Sequence, residues 1–571
     1  LLVKRWIKHG CPQSLREVLC SDLGISPTTA NILVNRGIRD QKEADEFIRA
    51  ELDDLVEPFT MNGMDRVVAR VLKAVRGGEK VLVFGDYDAD GITATSLLLL
   101  FLKEVGADVT FYIPGRQEEG YGISMPALER ISAMGVSLII TVDCGISSVR
   151  EVDAATAMGM DVIITDHHEP PEELPRAHAM LNPCLKDSGY PFTGLAGVGV
   201  AMKLVQCVLA GLDGKDKAGP GIDPRLMKYL DIVALGTIAD VVPLRGENRI
   251  LVRHGLKLLK NSSRVGIQQL MDVSLVNKGR FGAGTVGFQL APRLNASGRL
   301  GRAELGVSLL TTDDPDLARD IALELDSLNR ERQKIEYDIL EEARSMFIGG
   351  QGQDRNTIVL TSDRWHQGVI GIVASKLVEE FYRPTVLIAM NEDTGKGSAR
   401  SIPAFHLYEG LEKCSGLIEG YGGHKYAAGL SIKKENLAAF TEMFEDIVTR
   451  ALEPEDFKPY LRIDDELALD EIDWELYEEL SSLSPFGAGN PEPVLQARGL
   501  EVMYPKVVGR NHVKMKLRQH GRSMPAIGFN MGDIYQSLAM ERVYLDAAFC
   551  LDMNEWQGEK TLQLNIKDIH I

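Results

Sequence analysis

The chain reads as an α/β protein built in pieces: a parallel sheet with helices on both faces, a long helix, a second and smaller α/β lobe, and a closing β-barrel. Three observations predict this. Between residues 78 and 240, short apolar strands alternate with helical patterns, which implies a mostly parallel sheet. From Pro315 to Phe347, apolar residues recur at helical spacing without a break. From about residue 460, short strands separated by turn signals carry a basic cluster, compatible with a small barrel such as an OB-fold.

Length and composition frame these pieces. A chain of 571 residues is too long for one core. We expect a helical segment over 1–60, a catalytic domain over 61–312, a connecting helix over 313–348, a second α/β domain over 349–453 and the barrel over 454–571. Hydrophobic content of 44% and charged content of 25% describe a soluble globular protein. The longest apolar run, residues 97–102, is far too short to cross a membrane. The start, Leu1-Leu2-Val3-Lys4-Arg5-Trp6, lacks the apolar core of a signal peptide. Seven scattered cysteines with no Cys-x-x-Cys pair point to a reducing cytoplasm and away from structural zinc. A net charge of −19 means that any nucleic acid must be met by local basic patches.

Residues 1–60 read as short helices with a break at Gly37, followed by the acidic stretch from Glu51 to Glu57, and packing explains them. Strands are expected at 81–85, 109–113, 138–142 and 162–165, with helices around 92–105, 125–134 and 147–158. The first strand runs straight into Asp86, Asp88 and Asp90. Three carboxylates this close repel unless a cation neutralises them, and hard divalent ions held by oxygen are the natural candidates. Asp143 follows the third strand, and Asp166-His167-His168 follows the fourth. Parallel sheets bind ligands beyond the carboxyl ends of their strands, so three strand ends converge on one edge. Asp240 closes an apolar helix and, taken alone, reads as a helix-end residue. The loop 114–122, with Arg116 and Tyr121, follows the second strand on the same edge. Near paired metals, Arg116 suits a phosphate clamp as well as a solvated loop. Gly194, Gly197 and Gly199 have the wrong order for a dinucleotide fingerprint and read as helix-packing glycines.

Arg293 and Arg299 lie in a short stretch without strong periodicity. The helix from Pro315 to Phe347 would span about 50 Å at ~1.5 Å per residue, long enough to bridge two lobes. Gly349-Gly350-Gln351-Gly352 marks a boundary. The second lobe has strands expected at 357–360 and 385–389. There, Trp365 and His366 are candidates for stacking on bases, although a lone Trp is more often core. In the barrel, Arg498, Lys506, Arg510, Lys514, Lys516, Arg518 and Arg522 fall within 25 residues that hold one acid, Glu501. Lys514, Lys516 and Arg518 alternate and face one side of a strand. That makes a track for a single strand of nucleic acid, or the lysines of a solvated edge.

Together these motifs carry a family resemblance. Asp86-Tyr87-Asp88-Ala89-Asp90-Gly91, Asp143-Cys144-Gly145, Asp166-His167-His168 and Ala239-Asp240 resemble the four motifs of the DHH phosphoesterase superfamily. The stretches Gln289 to Arg299, Trp365 to Gly371, Gly397 to Ser401, Gly422-Gly423-His424 and Ser484 to Pro491 are similar to its single-strand-specific exonuclease branch. The resemblance implies a DHH domain joined by the long helix to a substrate-gripping DHHA1 domain. It implies two ions, Mn²⁺ or Mg²⁺, with Asp86 and Asp88 on one, Asp90, His167 and Asp240 on the other, and Asp143 bridging. His168 would aid the scissile phosphate as a hydrogen-bond or proton donor; the competing reading packs it behind the site. Arg116, Tyr121, Arg293, Arg299, Ser398, Arg400, His424, Arg510, Lys514, Lys516 and Arg518 would contact the substrate. Arg116, Ser398 and Arg400 would grip a 5′-phosphate, unless Arg400 merely pairs with an acid across the cleft. The implied activity is 5′→3′ hydrolysis of single-stranded DNA to 5′-mononucleotides in repair and recombination. Single-strand-binding protein and a helicase are the implied partners, with a monomeric chain and no membrane. The alternatives are a phosphodiesterase of dinucleotides or short oligonucleotides, and a catalytically silent replication scaffold.

Overall fold

The architecture is that of a computed structural model, which describes residues 4–571 apart from 9, 11, 116–118, 121, 351–353 and 541. Five parallel strands form the first sheet. In spatial order they are Asp108–Tyr112, Lys80–Gly85, Leu138–Val142, Asp161–Thr165 and Ala179–Leu181. The first four agree with the sequence reading; the three-residue fifth strand is too short to have a legible period. Strand Lys80–Gly85 is buried from Val81 onward, as expected for a parallel sheet covered on both faces. The chain steps from it to Asp108–Tyr112 on one side, then crosses back to Leu138–Val142 on the other. That reversal opens a crevice at the carboxyl ends of the two central strands, where Asp86 and Asp143 stand.

Helix Ala89–Glu104 starts at this crevice and is buried along nearly its whole length. It packs on helices Gly197–Leu212 and Leu230–Ala239. Residues 291–299 form a helix, preceded by a π-helical turn at Val286–Leu290. The helical period was obscured there by glycine, proline and that inserted turn. The bridging helix runs from Pro315 to Gly349, capped by the Asp314 carboxylate on the amides of Asp316 and Leu317.

The second lobe holds a five-stranded sheet, ordered Gly420–Gly423, Ala427–Lys433, Thr394–Arg400, Thr385–Asn391 and Ile358–Ser362. Two of these strands matched the apolar pattern. The others are antiparallel: Gly420–Gly423 and Thr394–Arg400 are rich in glycine, and Ala427–Lys433 buries only alternate residues, so none carries an apolar run. Trp365 is only 5% exposed, in the core beside Ile370 and Leu377; it is a packing residue and does not offer a face to bases.

In the C-terminal lobe, strands Leu495–Val508, His512–Gln519, Arg522–Gly528, Glu559–His570 and Tyr544–Trp556 pair in that order. The last returns to the first, closing a barrel. The described part of the N-terminal segment packs on the other lobes. Strand Arg5–Lys8 pairs with Tyr460–Ile463, and Leu19, Ile32 and Leu33 share one core with Leu495, Leu517 and Phe549. No helix among the described residues is long and apolar enough to cross a membrane.

Candidate metal centre and strand-binding cleft

The acidic loop is held by its own backbone. The Asp88 carboxylate caps helix Ala89–Glu104, accepting from the amides of Asp90 (2.9 Å) and Gly91 (3.0 Å). Gly91 is required because a Cβ there would lie 2.5–2.7 Å from the backbone of Asp86. Asp90, 1% exposed, accepts from the amides of Gly197 (2.6 Å) and Val198 (2.9 Å) at the start of helix Gly197–Leu212. Gly197 also clears room for Asp143, whose Cβ would stand 2.7 Å from a side chain there. This glycine therefore serves the site as well as helix packing.

Ligand atoms of Asp86, Asp88 and Asp143 lie within 4.8 Å of one another, as do those of Asp90, His167 and Asp240, and those of Asp143, His167 and His168. His167 Nε2 is 3.0 Å from Asp143 Oδ1, 3.7 Å from Asp240 Oδ2 and 3.9 Å from Asp90 Oδ2. Burial, and the neighbouring carboxylates after it, push Asp90 and Asp143 well above the usual carboxylate range and Asp240 up to about 7. Burial, then the charge of His168, pulls His167 down to about 4, which keeps the imidazole neutral, the form that binds metals. Asp240 Oδ2 and His167 Nε2 are buried with no hydrogen-bond partner among the described residues. Repelling carboxylates, a neutral imidazole and unsatisfied donor atoms fit a pair of divalent cations. The mixed oxygen and nitrogen set suits Mn²⁺ at least as well as Mg²⁺.

Two residues without an assigned role in the sequence reading support the site. Asp166, fully buried, accepts from the amides of Ile146 (3.0 Å), His167 (2.8 Å) and His168 (3.1 Å). It also holds His168 Nδ1 at 2.8 Å. That fixes the ring with Nε2 on its far side. Burial lowers the His168 pKa, but the Asp166 hydrogen bond and charge outweigh it and raise it to about 9. Asn295 Oδ1 accepts from the Ala89 amide at 2.9 Å and braces the acidic loop. Both lie in stretches that the sequence had marked, but their partners are set by the tertiary structure.

The substrate candidates divide. Arg116 and Tyr121 lie outside the described residues. Arg293 is committed to Asp326 on the bridging helix (2.8 Å) and to the Gln289 carbonyl; its guanidinium serves to join elements. Arg299 reaches the Gly368 carbonyl of the second lobe (2.8 Å). Ser398 and Arg400 meet at the start of helix Ile370–Phe381, where a Cβ on Gly371 would lie 2.8 Å from Ser398 Oγ and 3.1 Å from Arg400 Nη2. His424 is exposed at the turn between two strands. On the barrel, Lys514, Lys516 and Arg518 project outward, while Val513, Met515 and Leu517 point into the core. Arg518, however, is paired with Glu501 (Nε to Oε2, 2.7 Å) and Arg498 with Glu466 (3.1 Å). Among the described residues, Lys506, Arg510, Lys514 and Lys516 carry no ion pair, so the track is narrower than the sequence suggested.

Comparison with known proteins follows this division. Residues 80–237 match the DHH family, N-terminal domain; residues 354–450 match the DHHA1 domain; residues 463–568 match the RecJ OB domain. The chain is 40% identical to the single-stranded-DNA-specific exonuclease RecJ of Bacillus subtilis (strain 168), over 99% of this chain and 70% of that protein. It resembles the crystal structure of RecJ in complex with Mn²⁺ from Thermus thermophilus, with a TM-score of 0.84 at 30% identity, covering 99% of this chain and 79% of that one. The Mg²⁺ complex from the same organism gives 0.78 at 29% identity, covering 99% and 78%.

Proposed function

The chain belongs to the RecJ family of single-stranded-DNA-specific exonucleases, and from that premise we propose that it hydrolyses single-stranded DNA from the 5′ end, releasing 5′-mononucleotides, with Mn²⁺ or Mg²⁺ as cofactor. The observation that carries this reading is the convergence of Asp86, Asp88 and Asp143 with Asp90, His167 and Asp240 at one sheet crevice. Asp86 and Asp88 would hold one ion, Asp90, His167 and Asp240 the other, with Asp143 between them. When bound, such a pair supplies Lewis acidity to the phosphodiester and to the attacking water. His168, oriented by Asp166, would donate a hydrogen bond to the developing charge or a proton to the leaving oxygen.

Strand contacts fit the same reading. Ser398 and Arg400 would receive the terminal phosphate, with Arg116 as a further phosphate contact. Lys506, Arg510, Lys514 and Lys516 would guide the strand behind it, with His424 at the lobe's rim. The barrel and bridging helix favour a polymer over a dinucleotide, and the complete carboxylate set argues against a silent scaffold. A role in repair and recombination, alongside single-strand-binding protein and a helicase, follows from the family, as do a monomeric state and the cytoplasm. The deciding assay follows end-labelled single-stranded and duplex DNA with Mn²⁺ or EDTA. Mononucleotide release from single strands alone, abolished by EDTA, is expected. Equal attack on duplex ends, or persistence in EDTA, would overturn it.

A further inference from the structure

We infer that Phe288 is a stacking platform for one base of the bound strand, beside the metal-bearing edge; this rests on the exonuclease reading above. Residues 273–303 contain Lys278, Arg280, Arg293, Arg299 and Arg302 but no Asp or Glu, in a chain of net charge −19; Arg293 is committed to Asp326, and Arg302 to Glu304 and Glu324. Within this span, Leu275 and Phe288 are 88% and 87% exposed, the most exposed large apolar side chains among the described residues. Lys278 and Arg280 have no ion pair among the described residues. A ring held so far into water forgoes the burial that normally accounts for a phenylalanine.

Its position supplies the reason. Phe288 sits in the π-helical turn that leads into helix Ala291–Arg299, and such turns are frequent at functional sites because they re-aim side chains. Residues 288, 292, 295 and 299, spaced four, three and four apart, share one helix face. On that face Asn295 braces the acidic loop through the Ala89 amide, and Arg299 reaches Gly368 of the second lobe. The face therefore runs from the second lobe, at Arg299, past the acidic loop, at Asn295, to Phe288 at its outer end. A Cβ on adjacent Gly287 would lie 3.9 Å from Ile238, two residues before Asp240. An exposed aromatic ring on a segment that also carries the unpaired cations Lys278 and Arg280 suits a nucleobase followed by its phosphate.

The test is fluorescence anisotropy in EDTA with a 5′-phosphorylated, 3′-fluorescein oligothymidylate, and with versions carrying one abasic site walked inward from the 5′ end. Phe288→Ala should weaken the intact strand about tenfold, equivalent to 1.4 kcal/mol, and Phe288→Trp should restore it. At one abasic position the wild-type and Ala proteins should bind alike. An equal loss at every position, or no loss, would overturn stacking. Hydrolysis of the intact strand by the wild-type protein in Mn²⁺, scored in parallel, tests the exonuclease reading separately, since the abasic pattern is read without turnover.

Discussion

Asp143 stands at φ +60°, a region that costs a non-glycine residue roughly 1–3 kcal/mol and persists where the surroundings over-determine it. The strain turns its carboxylate toward both acidic groups, where burial and repulsion add to the cost. Asp143→Asn keeps a residue that tolerates this backbone but removes a charge. In EDTA we expect the variant to melt at a higher temperature than wild type; in Mn²⁺ the order should reverse. Turnover should fall on the order of 10³-fold or more, about 4 kcal/mol, and calorimetry should register fewer Mn²⁺ ions. Normal turnover by a folded variant would remove Asp143 from the centre. Arg400→Ala tests the phosphate pocket in the same way. Removing one charge-assisted hydrogen bond of roughly 1.5–3 kcal/mol should slow cleavage of 5′-phosphorylated strands about 10- to 150-fold, and 5′-hydroxyl strands much less. Equal effects on both would make Arg400 a general backbone contact.

At the scale of elements, strand His512–Gln519 separates a sequence pattern from its partners. Alternation alone put Lys514, Lys516 and Arg518 on one face, but Glu501 on the neighbouring strand neutralises the third. Lys506 and Lys514 instead stand directly opposite each other across the ladder, an arrangement that destabilises a sheet unless an anion lies between them. Reversing Lys514 and Lys516 to Glu should lower the slope of log affinity against log salt by about 0.7 for each phosphate no longer neutralised. Arg518→Ala should leave the slope within error. Titrations of a labelled single strand at several salt concentrations measure both, and an unchanged slope for the double reversal would argue for a merely solvated edge.

For the molecule as a whole, the barrel is tied to the metal-bearing domain next to Asp240. The Leu244 amide donates to the Ala488 carbonyl (2.7 Å) and Arg245 Nε to that of Gly489 (2.7 Å). Gly489 has φ +70°, and a Cβ there would lie 2.9 Å from Pro243. Gly489→Val should therefore displace the Pro243 turn and weaken Mn²⁺ binding and turnover, although it lies in another lobe; unaltered Mn²⁺ affinity would uncouple the two. Deleting residues 460–571 should also expose residues 13–48 to limited proteolysis, because their apolar side chains share one core with the barrel. By itself the sequence determined the parallel strands, the bridging helix and the acids at the strand ends, since apolar periodicity and adjacency are local properties of a chain. It also marked Asp143, His167 and Asp240 through motifs, without their distances. Only the tertiary structure decided that Asp166 and Asn295 brace the site, that Glu501 silences Arg518, that Arg293 joins two helices and that the N-terminal helices cover the barrel. Each of these rests on a pairing between elements distant along the chain or on a partner chosen by packing, and the local period of a sequence contains no record of which side chain its neighbour in space will be.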